Sequence, residues 1–239
     1  MQMKGFVLGA ACCSLLVGLY SLLNGGLGMQ GGGAAERAGK HDIQASPYFT
    51  HPDFYNMRSN GHLLLLPHFK TAQQSTGYSC GPVAAGMVVE YLQGKPLHKE
   101  LEIAEIMGTS KTSGTDTAGM VKYFHKLNWQ VESCLDKGSP KNYSSFQSFV
   151  KGYLQQGVPI IVENIDWGGH WRVIIGYDDM GSAYGGDDVL ILADPFDTSD
   201  HLQDGYNVIS AERFYYMWFD AHLFKGAAQD KLWLAAKPR

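Results

Sequence analysis

The spacing of hydrophobic residues changes from helical to strand-like about half-way along the chain. In the first half, the stretch 74–92 begins polar and broken by glycine, and then becomes apolar with Val83 and Met87 four positions apart. That interval puts both side chains on one helix face. Gly94 follows, and a glycine after a helical run favours a helix end. The pattern therefore predicts a helix whose N-terminus lies at or just after Cys80.

Shorter elements are predicted on both sides of this helix. The helical segments are 99–107, a segment that begins at Asp116 or Thr117, 145–156, and one from Ser210 to Phe219. The segments with strand-like composition are 63–66, 129–134, 158–163, 171–177, 189–193 and 232–236. A helix-rich first half followed by a strand-rich second half predicts an α+β domain with an antiparallel sheet.

The N-terminal pattern differs from the rest of the chain. Lys4 precedes an uncharged apolar run over 5–23, and a glycine-rich stretch follows it. A basic head before an apolar run is typical of an export signal, and this run is also near the length that spans a bilayer. We expect 1–35 to be a cleaved signal peptide or an N-terminal membrane anchor with a spacer, 36–62 a lead-in segment, and 63–239 the folded domain. The protein would then be exported to the periplasm or the extracellular space, either secreted or attached to the membrane.

Composition and charge narrow the class of protein. The chain has 239 residues, of which 45% are hydrophobic and 18% charged, enough for one sizeable core. The formal net charge is −4 without a block of like charges, so nucleic acid is not an expected partner. The four cysteines are Cys12, Cys13, Cys80 and Cys134. Only two lie beyond the apolar run, which excludes a framework of several disulfides. A single disulfide between Cys80 and Cys134 remains an alternative.

Cys80 is the candidate nucleophile. At a helix start, the free N–H groups and the positive end of the helix dipole favour a thiolate, which is the attacking form of cysteine. Pro82 suits the first turn, and Gly81 is predicted to leave the backbone beside the sulfur open to a substrate. The alternative is that Cys80 is a small buried core residue.

Three polar residues elsewhere suit partners of such a nucleophile. His170 follows two glycines at the start of a strand, where its imidazole could take the proton of Cys80 or stabilise the thiolate. Asp194 ends the next strand, and in a hairpin it would lie beside His170 and orient the ring. Gln74 stands six residues before Cys80, where its amide could donate to an oxyanion together with the Cys80 N–H. Gln73 is the alternative, because the register of this loop is not visible in the sequence.

The motifs, taken in order, resemble the C39-like cysteine peptidases, which have the papain-like fold. They are Gln-(x)5-Cys-Gly-Pro-Val-Ala-Ala, Gly-Val-Pro-Ile-Ile-Val, Gly-His-Trp-Arg-Val-Ile-Ile-Gly-Tyr-Asp and Ala-Asp-Pro-Phe, within about 63–236. The resemblance implies a helical half with the nucleophile at a helix start, packed on an antiparallel sheet. It also implies Cys80 as nucleophile, His170 as base, Asp194 as orienting carboxylate and Gln74 in the oxyanion hole. The implied partner is a peptide or protein substrate, and neither a cofactor nor a metal is expected.

The chain departs from the family pattern at two places. Ser79 precedes the nucleophile where many relatives carry aspartate, and the loop 178–188 is long and rich in glycine, which is predicted to alter substrate access. Relatives that cut double-glycine leaders are usually fused to an exporter with an ATPase. The sequence has no glycine-rich ATP loop, so cleavage of an exporter's leader peptides is not directly implied.

A run of aspartates in the second half raises a calcium site as an alternative. The spacing lacks the alternate acidic positions and the final glutamate of a calcium loop, which favours a solvated loop instead. The run comprises Asp187, Asp188, Asp194, Asp197, Asp200 and Asp204.

Three functional hypotheses remain from the sequence. The first is an exported thiol-dependent peptidase that hydrolyses peptide amide bonds. The second is acyl transfer or deamidation on the same triad, as in the phytochelatin-synthase branch of the fold. The third is a non-catalytic peptide-binding domain that keeps a relic site.

Overall fold

The computed structural model describes residues 52–199, 203–221 and 230–239. The predicted signal or anchor over 1–35 and the first part of the lead-in segment lie outside these residues, and the domain boundaries stay predictions. No helix within the described ranges is long and apolar enough to cross a membrane.

The helices and strands follow the predicted division of the chain. The helices are α1 (Cys80–Gln93), α2 (Glu100–Met107), α3 (Thr117–Lys126), α4 (Cys134–Lys137), α5 (Tyr143–Gln155) and α6 (Ala211–Tyr216). The strands are β1 (Leu63–Leu65), β2 (Gln130–Ser133), β3 (Ile160–Asn164), β4 (His170–Asp178), β5 (Val189–Ala193), β6 (Tyr206–Ser210) and β7 (Trp233–Lys237).

One antiparallel sheet contains all seven strands of the described part of the chain. Six of them follow the order β2-β7-β3-β4-β5-β6. The short β1 pairs with the far end of β4, beyond the part of β4 that pairs with β3. Strand β4 is paired on both edges, and its side chains are buried on both faces. The predicted α+β class with an antiparallel sheet is confirmed.

Local capping sets the ends of the two helices nearest the nucleophile. Helix α1 ends at Gly94, which adopts φ +76° and donates its N–H to the carbonyl of Glu90. Helix α3 begins after Asp116, whose carboxylate accepts the N–H of Gly119 at 2.7 Å. Both ends agree with the predicted signals. The buried face of α1 includes Val88 and packs against the core that the sheet shares with the helices.

Three features of the chain differ from the predictions. The helix after Ser210 ends at Tyr216 rather than Phe219. Strand β6 was not predicted, because its five residues are half exposed and gain order by pairing with β5. The strand predicted over 129–134 ends at Ser133, because Cys134 opens α4, which Ser133 caps.

The glycine-rich loop 178–188 lies far from the predicted site. It joins the end of β4 to the start of β5, whereas His170 and Asp194 lie at the opposite ends of these two strands. Nine residues of strand separate the two ends by roughly 25 Å. The loop is held by α5, where Tyr143 donates to the carbonyl of Gly185 at 2.7 Å. The prediction that this loop alters substrate access is therefore wrong.

Candidate active site

His170 and Asp194 meet at the ends of neighbouring strands. His170 opens β4, and Asp194 directly follows the last residue of β5, which runs antiparallel to β4. The Nε2 atom of His170 lies 2.7 Å from Oδ1 of Asp194, and both side chains are buried. The predicted hairpin contact is thus present. Because Nε2 faces the carboxylate, Nδ1 is the ring nitrogen that remains for proton exchange with another group.

Asp194 is held as a carboxylate by its neighbours. Its Oδ1 also accepts the N–H of Phe196 at 2.9 Å, and the Nε of Arg172 lies 2.7 Å from its Oδ2 in an ion pair. Burial by itself would raise the pKa of Asp194, but the charges of Arg172 and His170 outweigh burial and hold that pKa well below its usual range. The carboxylate is therefore ionised across the whole neutral range.

Trp167 covers the histidine from the solvent side. Its indole ring meets the imidazole of His170 edge-on, with the ring centroids 5.1 Å apart, and meets Phe196 in the same way at 4.9 Å. Trp167 is 44% exposed and adopts φ +54°, a left-handed conformation that is uncommon for a large side chain. Such strain at a site edge is a signal that sequence patterns do not carry.

Cys80 is the first residue of α1 and is almost completely buried. The backbone N–H groups of Trp171 and Gly81 face its sulfur, and Trp171 directly follows His170 in β4. Burial, with smaller contributions from the carboxylates of Glu163 and Asp194, raises the pKa of the Cys80 thiol to about 12, although the two N–H groups act to lower it. The helix start was expected to favour a thiolate, but burial outweighs it, so a proton acceptor is required.

The two candidate glutamines have different contacts. Gln74 is buried and donates its amide to the carbonyl of Thr76 at 2.6 Å, while its own Oε1 has no hydrogen-bond partner within the described residues. Gln73 donates to the carbonyl of Asp194 at 2.9 Å and accepts the N–H of Asp197 at 3.1 Å. Gln73 therefore holds the turn after β5 in place with both the nitrogen and the oxygen of its amide, whereas the side-chain amide of Gln74 contacts Thr76 in the loop before Cys80.

The loop before the nucleophile is fastened by a carboxylate from α2. Ser79 is fully buried, and its hydroxyl donates to Oε1 of Glu100, which also accepts the N–H of Ser75 at 2.9 Å. This chain thus has serine rather than aspartate before the nucleophile, and Glu100 supplies the acidic group that this loop contacts. The sequence analysis did not identify Glu100, because nothing in the spacing of 21 residues between Ser79 and Glu100 indicates their contact.

Gly81 is required by packing rather than by substrate access. A Cβ atom at this position would lie 3.0 Å from the side chain of Thr115, closer than side-chain carbons normally approach. The carbonyl of Thr115 in turn accepts the indole N–H of Trp171 at 2.8 Å. The predicted role of Gly81 in opening the backbone to substrate is corrected accordingly. The glycine lets the start of α1 approach the loop before α3.

Glu163 is a buried acid near the nucleophile that the sequence analysis missed. It lies opposite Trp171 in the β3–β4 ladder and is 1% exposed. Burial, followed by the charges of Asp220 and Asp116, raises the pKa of Glu163 well above its usual value, and its side chain hydrogen-bonds with Asp220. A glutamate inside the apolar run 160–164 was the available signal.

We expect Glu163→Gln to stabilise the protein at neutral pH. Because the folded-state pKa of Glu163 is raised, its contribution to stability is present below the unfolded pKa and is lost as the pH rises through the folded pKa. The free energy of unfolding that the variant gains over the wild type should therefore grow above about pH 4.3. Its full size is about 1.4 kcal/mol for each unit between the unfolded and the folded pKa of Glu163. Urea unfolding between pH 5 and pH 9 measures it. The exposed Glu105→Gln is the control, and a Glu163→Gln variant that is less stable throughout would contradict the expectation.

Three acids of the aspartate run, Asp188, Asp194 and Asp197, are buried, whereas Asp187 is exposed and Asp200 lies outside the described residues. Asp188 is buried, and it accepts hydrogen bonds from Tyr177 and from Gln147, the latter at 2.8 Å. Asp197 is also buried and accepts the N–H of Gly205 at 3.0 Å. With Asp194 facing His170, these acids fasten separate parts of the strand ends, so the prediction of a solvated loop is wrong for them.

Cys80 and Cys134 do not pair with each other, since both are free thiols. Cys134 lies next to the edge strand β2, three strands away from β4. Among the described side chains, His62, Asp178 and Asp179 form the one group with metal-ligand spacing, and it lies at the end of β4 opposite His170.

Two solved peptidase domains are similar to this chain. The peptidase domain of Streptococcus ComA, a bi-functional ABC transporter involved in a quorum-sensing pathway, is similar at 22% identity, covering 72% of this chain and all of that domain, with a TM-score of 0.49. The Streptococcus mutans ComA peptidase domain is similar at 19% identity, covering 71% of this chain and all of that domain, with a TM-score of 0.39. The search of curated proteins gave no match.

The family comparison covers both strand ends and the nucleophile helix. The model of the Peptidase_C39 like family matches residues 67–221, which is more than half of the chain and includes Cys80, His170 and Asp194. The predicted papain-like arrangement, with a cysteine at a helix start beside an antiparallel sheet, is also the one observed. This chain belongs to the Peptidase_C39 like family.

Proposed function

We propose that this protein is a thiol-dependent peptidase that hydrolyses peptide amide bonds through Cys80, His170 and Asp194. The observation that carries the proposal is the buried pair of His170 and Asp194 at 2.7 Å, placed beside the Trp171 N–H that faces the Cys80 sulfur. A buried histidine with one nitrogen on a carboxylate and a thiol at a neighbouring helix start are the parts that acyl transfer requires.

The first half of the reaction uses His170 as base and then as acid. Its Nδ1 takes the thiol proton of Cys80, and the sulfur forms a bond to the substrate carbonyl carbon. One electron pair of the carbon–oxygen double bond then moves to the oxygen. His170 returns the proton to the amine nitrogen as the carbon–nitrogen bond breaks, which leaves a thioester on Cys80. Asp194 keeps the imidazole in one tautomer and stabilises the imidazolium form.

The oxyanion is assigned to two N–H groups near Cys80. The N–H of Cys80 is the first of its helix, so it has no acceptor within the helix. The second donor is Gln74, which uses one amide N–H on Thr76 and has another to spare. In the second half of the reaction, a water molecule gives its proton to His170 and attacks the thioester, and the acid and the free thiol are released.

Export of the peptidase is part of the proposal. It rests on the basic head and the apolar run before residue 24, which favour secretion or attachment to a membrane. The peptide substrate would then be met outside the cytoplasm.

Peptide-library profiling of the full chain tests the function. We expect new carboxyl termini by mass spectrometry, and we expect iodoacetamide to stop cleavage in step with the labelling of Cys80. A Cys134→Ala variant should behave like the wild type, because Cys134 lies at the other edge of the sheet. Products that carry an added amine acceptor would indicate transfer instead, and peptide binding without any product would indicate a relic site.

A further inference from the structure

Arg172 is a buried cation in an apolar strand. It lies two residues after His170 in β4, so the two side chains project from the same face of the sheet. Its side chain is 4% exposed, and a charge so buried is stable only when it is paired. Two carboxylates provide this pairing. Nε lies 2.7 Å from Oδ2 of Asp194, and Nη1 lies 2.7 Å from Oδ2 of Asp166.

The two oxygens of Asp194 are divided between the imidazole and the guanidinium. Oδ1 faces His170 and also accepts the N–H of Phe196, whereas Oδ2 faces Arg172. A carboxylate can rotate about its bond to Cβ, and contacts on a single oxygen would not define its plane. The cation 2.7 Å from the second oxygen restrains that rotation by charge attraction, without a directed hydrogen bond, and so keeps Oδ1 toward His170.

The other end of the guanidinium holds the turn that covers the histidine. Asp166 begins the short 3₁₀ turn Asp166–Gly168, and the next residue is Trp167, whose indole meets the imidazole edge-on. The guanidinium carbon of Arg172 lies 6.0 Å from the centre of the Trp167 ring. A planar guanidinium with several fixed N–H directions can contact both carboxylates at once, which a lysine ammonium cannot do in the same geometry.

We propose that Arg172 is a positioning residue for the proposed hydrolysis, because it orients Asp194 toward His170 and fastens the Trp167 turn over the pair. The inference rests on the proposed function of Cys80 and His170. In this view, the carboxylate of Asp166 takes no direct part in the reaction, and its role is to hold the outer end of Arg172.

The positive charge of Arg172 also affects the protonation of the groups around it. The charged groups that face it are Asp166 and Asp194, with His170 and Asp197 beyond Asp194. Without the cation, the imidazolium is the one buried positive partner that the described part of the chain offers these carboxylates. Removing a positive charge favours the protonated form of every titrating group nearby. Both limbs of the activity–pH profile should then move to higher pH.

Arg172→Gln is the first variant to measure. We expect kcat/KM to fall about 10- to 100-fold, mainly through kcat, because a misdirected imidazole costs catalysis rather than substrate binding. The profile should also move to higher pH. Lys151→Gln is the matched control, since Lys151 pairs with Asp179 at 3.2 Å at the far end of β4 and should change neither quantity.

Two further variants separate positioning from a loss of folding. Asp166 is one-third exposed, so Asp166→Asn should leave the fold intact and lower kcat/KM by less than Arg172→Gln does. In Arg172→Ala, added guanidinium chloride at millimolar concentration should restore part of the activity. It can enter through an open cavity of about 320 Å³ that Arg172, Asp194, Asp166 and Trp167 line. Urea, similar in shape but uncharged, should not restore it.

The outcomes distinguish this inference from the function on which it depends. If the wild type cleaves no peptide, the proposed function fails. The rate at which iodoacetamide labels Cys80, measured against pH, then still tests Arg172 through the same upward shift. If the wild type is active, an unchanged rate and pH profile in Arg172→Gln would overturn the inference. So would a loss of activity without a pH shift and without guanidinium rescue, because that result describes a purely structural residue.

Discussion

Replacing Cys80 by alanine is expected to lower kcat by about 10⁴- to 10⁶-fold, which is the size of effect seen when a nucleophile is removed. The alanine lacks the sulfur that would form the thioester, and no other described cysteine lies near His170. Because Cys80 is a small buried side chain, the change should leave the helix start and the neighbouring packing intact. Turnover of a peptide found by library profiling measures the effect.

Peptide affinity of the same variant separates catalysis from binding. We expect Cys80→Ala to bind the substrate within about twofold of the wild type, since sulfur takes part in bond formation rather than in holding the peptide. Cys134→Ala is the matched control, with full activity expected because Cys134 opens α4 beside β2. Retained turnover in Cys80→Ala would exclude the thiol mechanism altogether.

Replacing His170 by alanine is expected to lower kcat/KM by about 10³-fold at neutral pH. Burial raises the pKa of the Cys80 thiol to about 12, so attack at neutral pH requires a base to take its proton. Below that pKa, the thiolate fraction rises tenfold with each pH unit. Iodoacetamide labelling of Cys80 in His170→Ala should therefore accelerate about tenfold per unit between pH 7 and pH 10.

The wild type should respond to pH in a different way. With His170 present, labelling at neutral pH should be faster and should depend less steeply on pH than in His170→Ala, because the imidazole can take the proton of the thiol. His62→Ala is the matched control, since His62 also pairs with an aspartate, Asp178, at 2.8 Å but at the far end of β4. Identical labelling profiles for wild type and His170→Ala would show that the imidazole does not act on Cys80.

Some parts of the fold could be predicted because their causes are local. Helix α1 starts and stops where a proline in the first turn and a left-handed glycine place its ends. Strand β5 coincides with the predicted run, because five consecutive apolar or small residues suit a strand with neighbours on both sides. Strand β6 could not be predicted in the same way, since its order depends on a partner strand rather than on its own pattern.

The candidate site likewise contains residues that local sequence signals indicated and residues that only the packing identifies. The Cys80, His170 and Asp194 segments carried their own signals, since each residue stands at the end of a regular element. Arg172 and Glu163 carried weaker ones, because a charged residue inside an apolar strand can be read as a solvent-facing position. Burial on both faces of the central strands decides that they are interior groups. The choice between Gln73 and Gln74 depended on a loop register that no periodicity reveals.

By itself, the sequence determined the class of the fold, the helix that begins at the nucleophile and the strand ends that bear the imidazole and the carboxylate. These follow from hydrophobic spacing and from capping residues, which act over a few positions. The tertiary structure decided the ionisation of these groups and their orientation. It buries the thiol among carboxylates, pairs Asp194 with Arg172, and places Trp167 over His170. Those effects depend on distance through space between residues far apart in the chain, which spacing along the chain does not record.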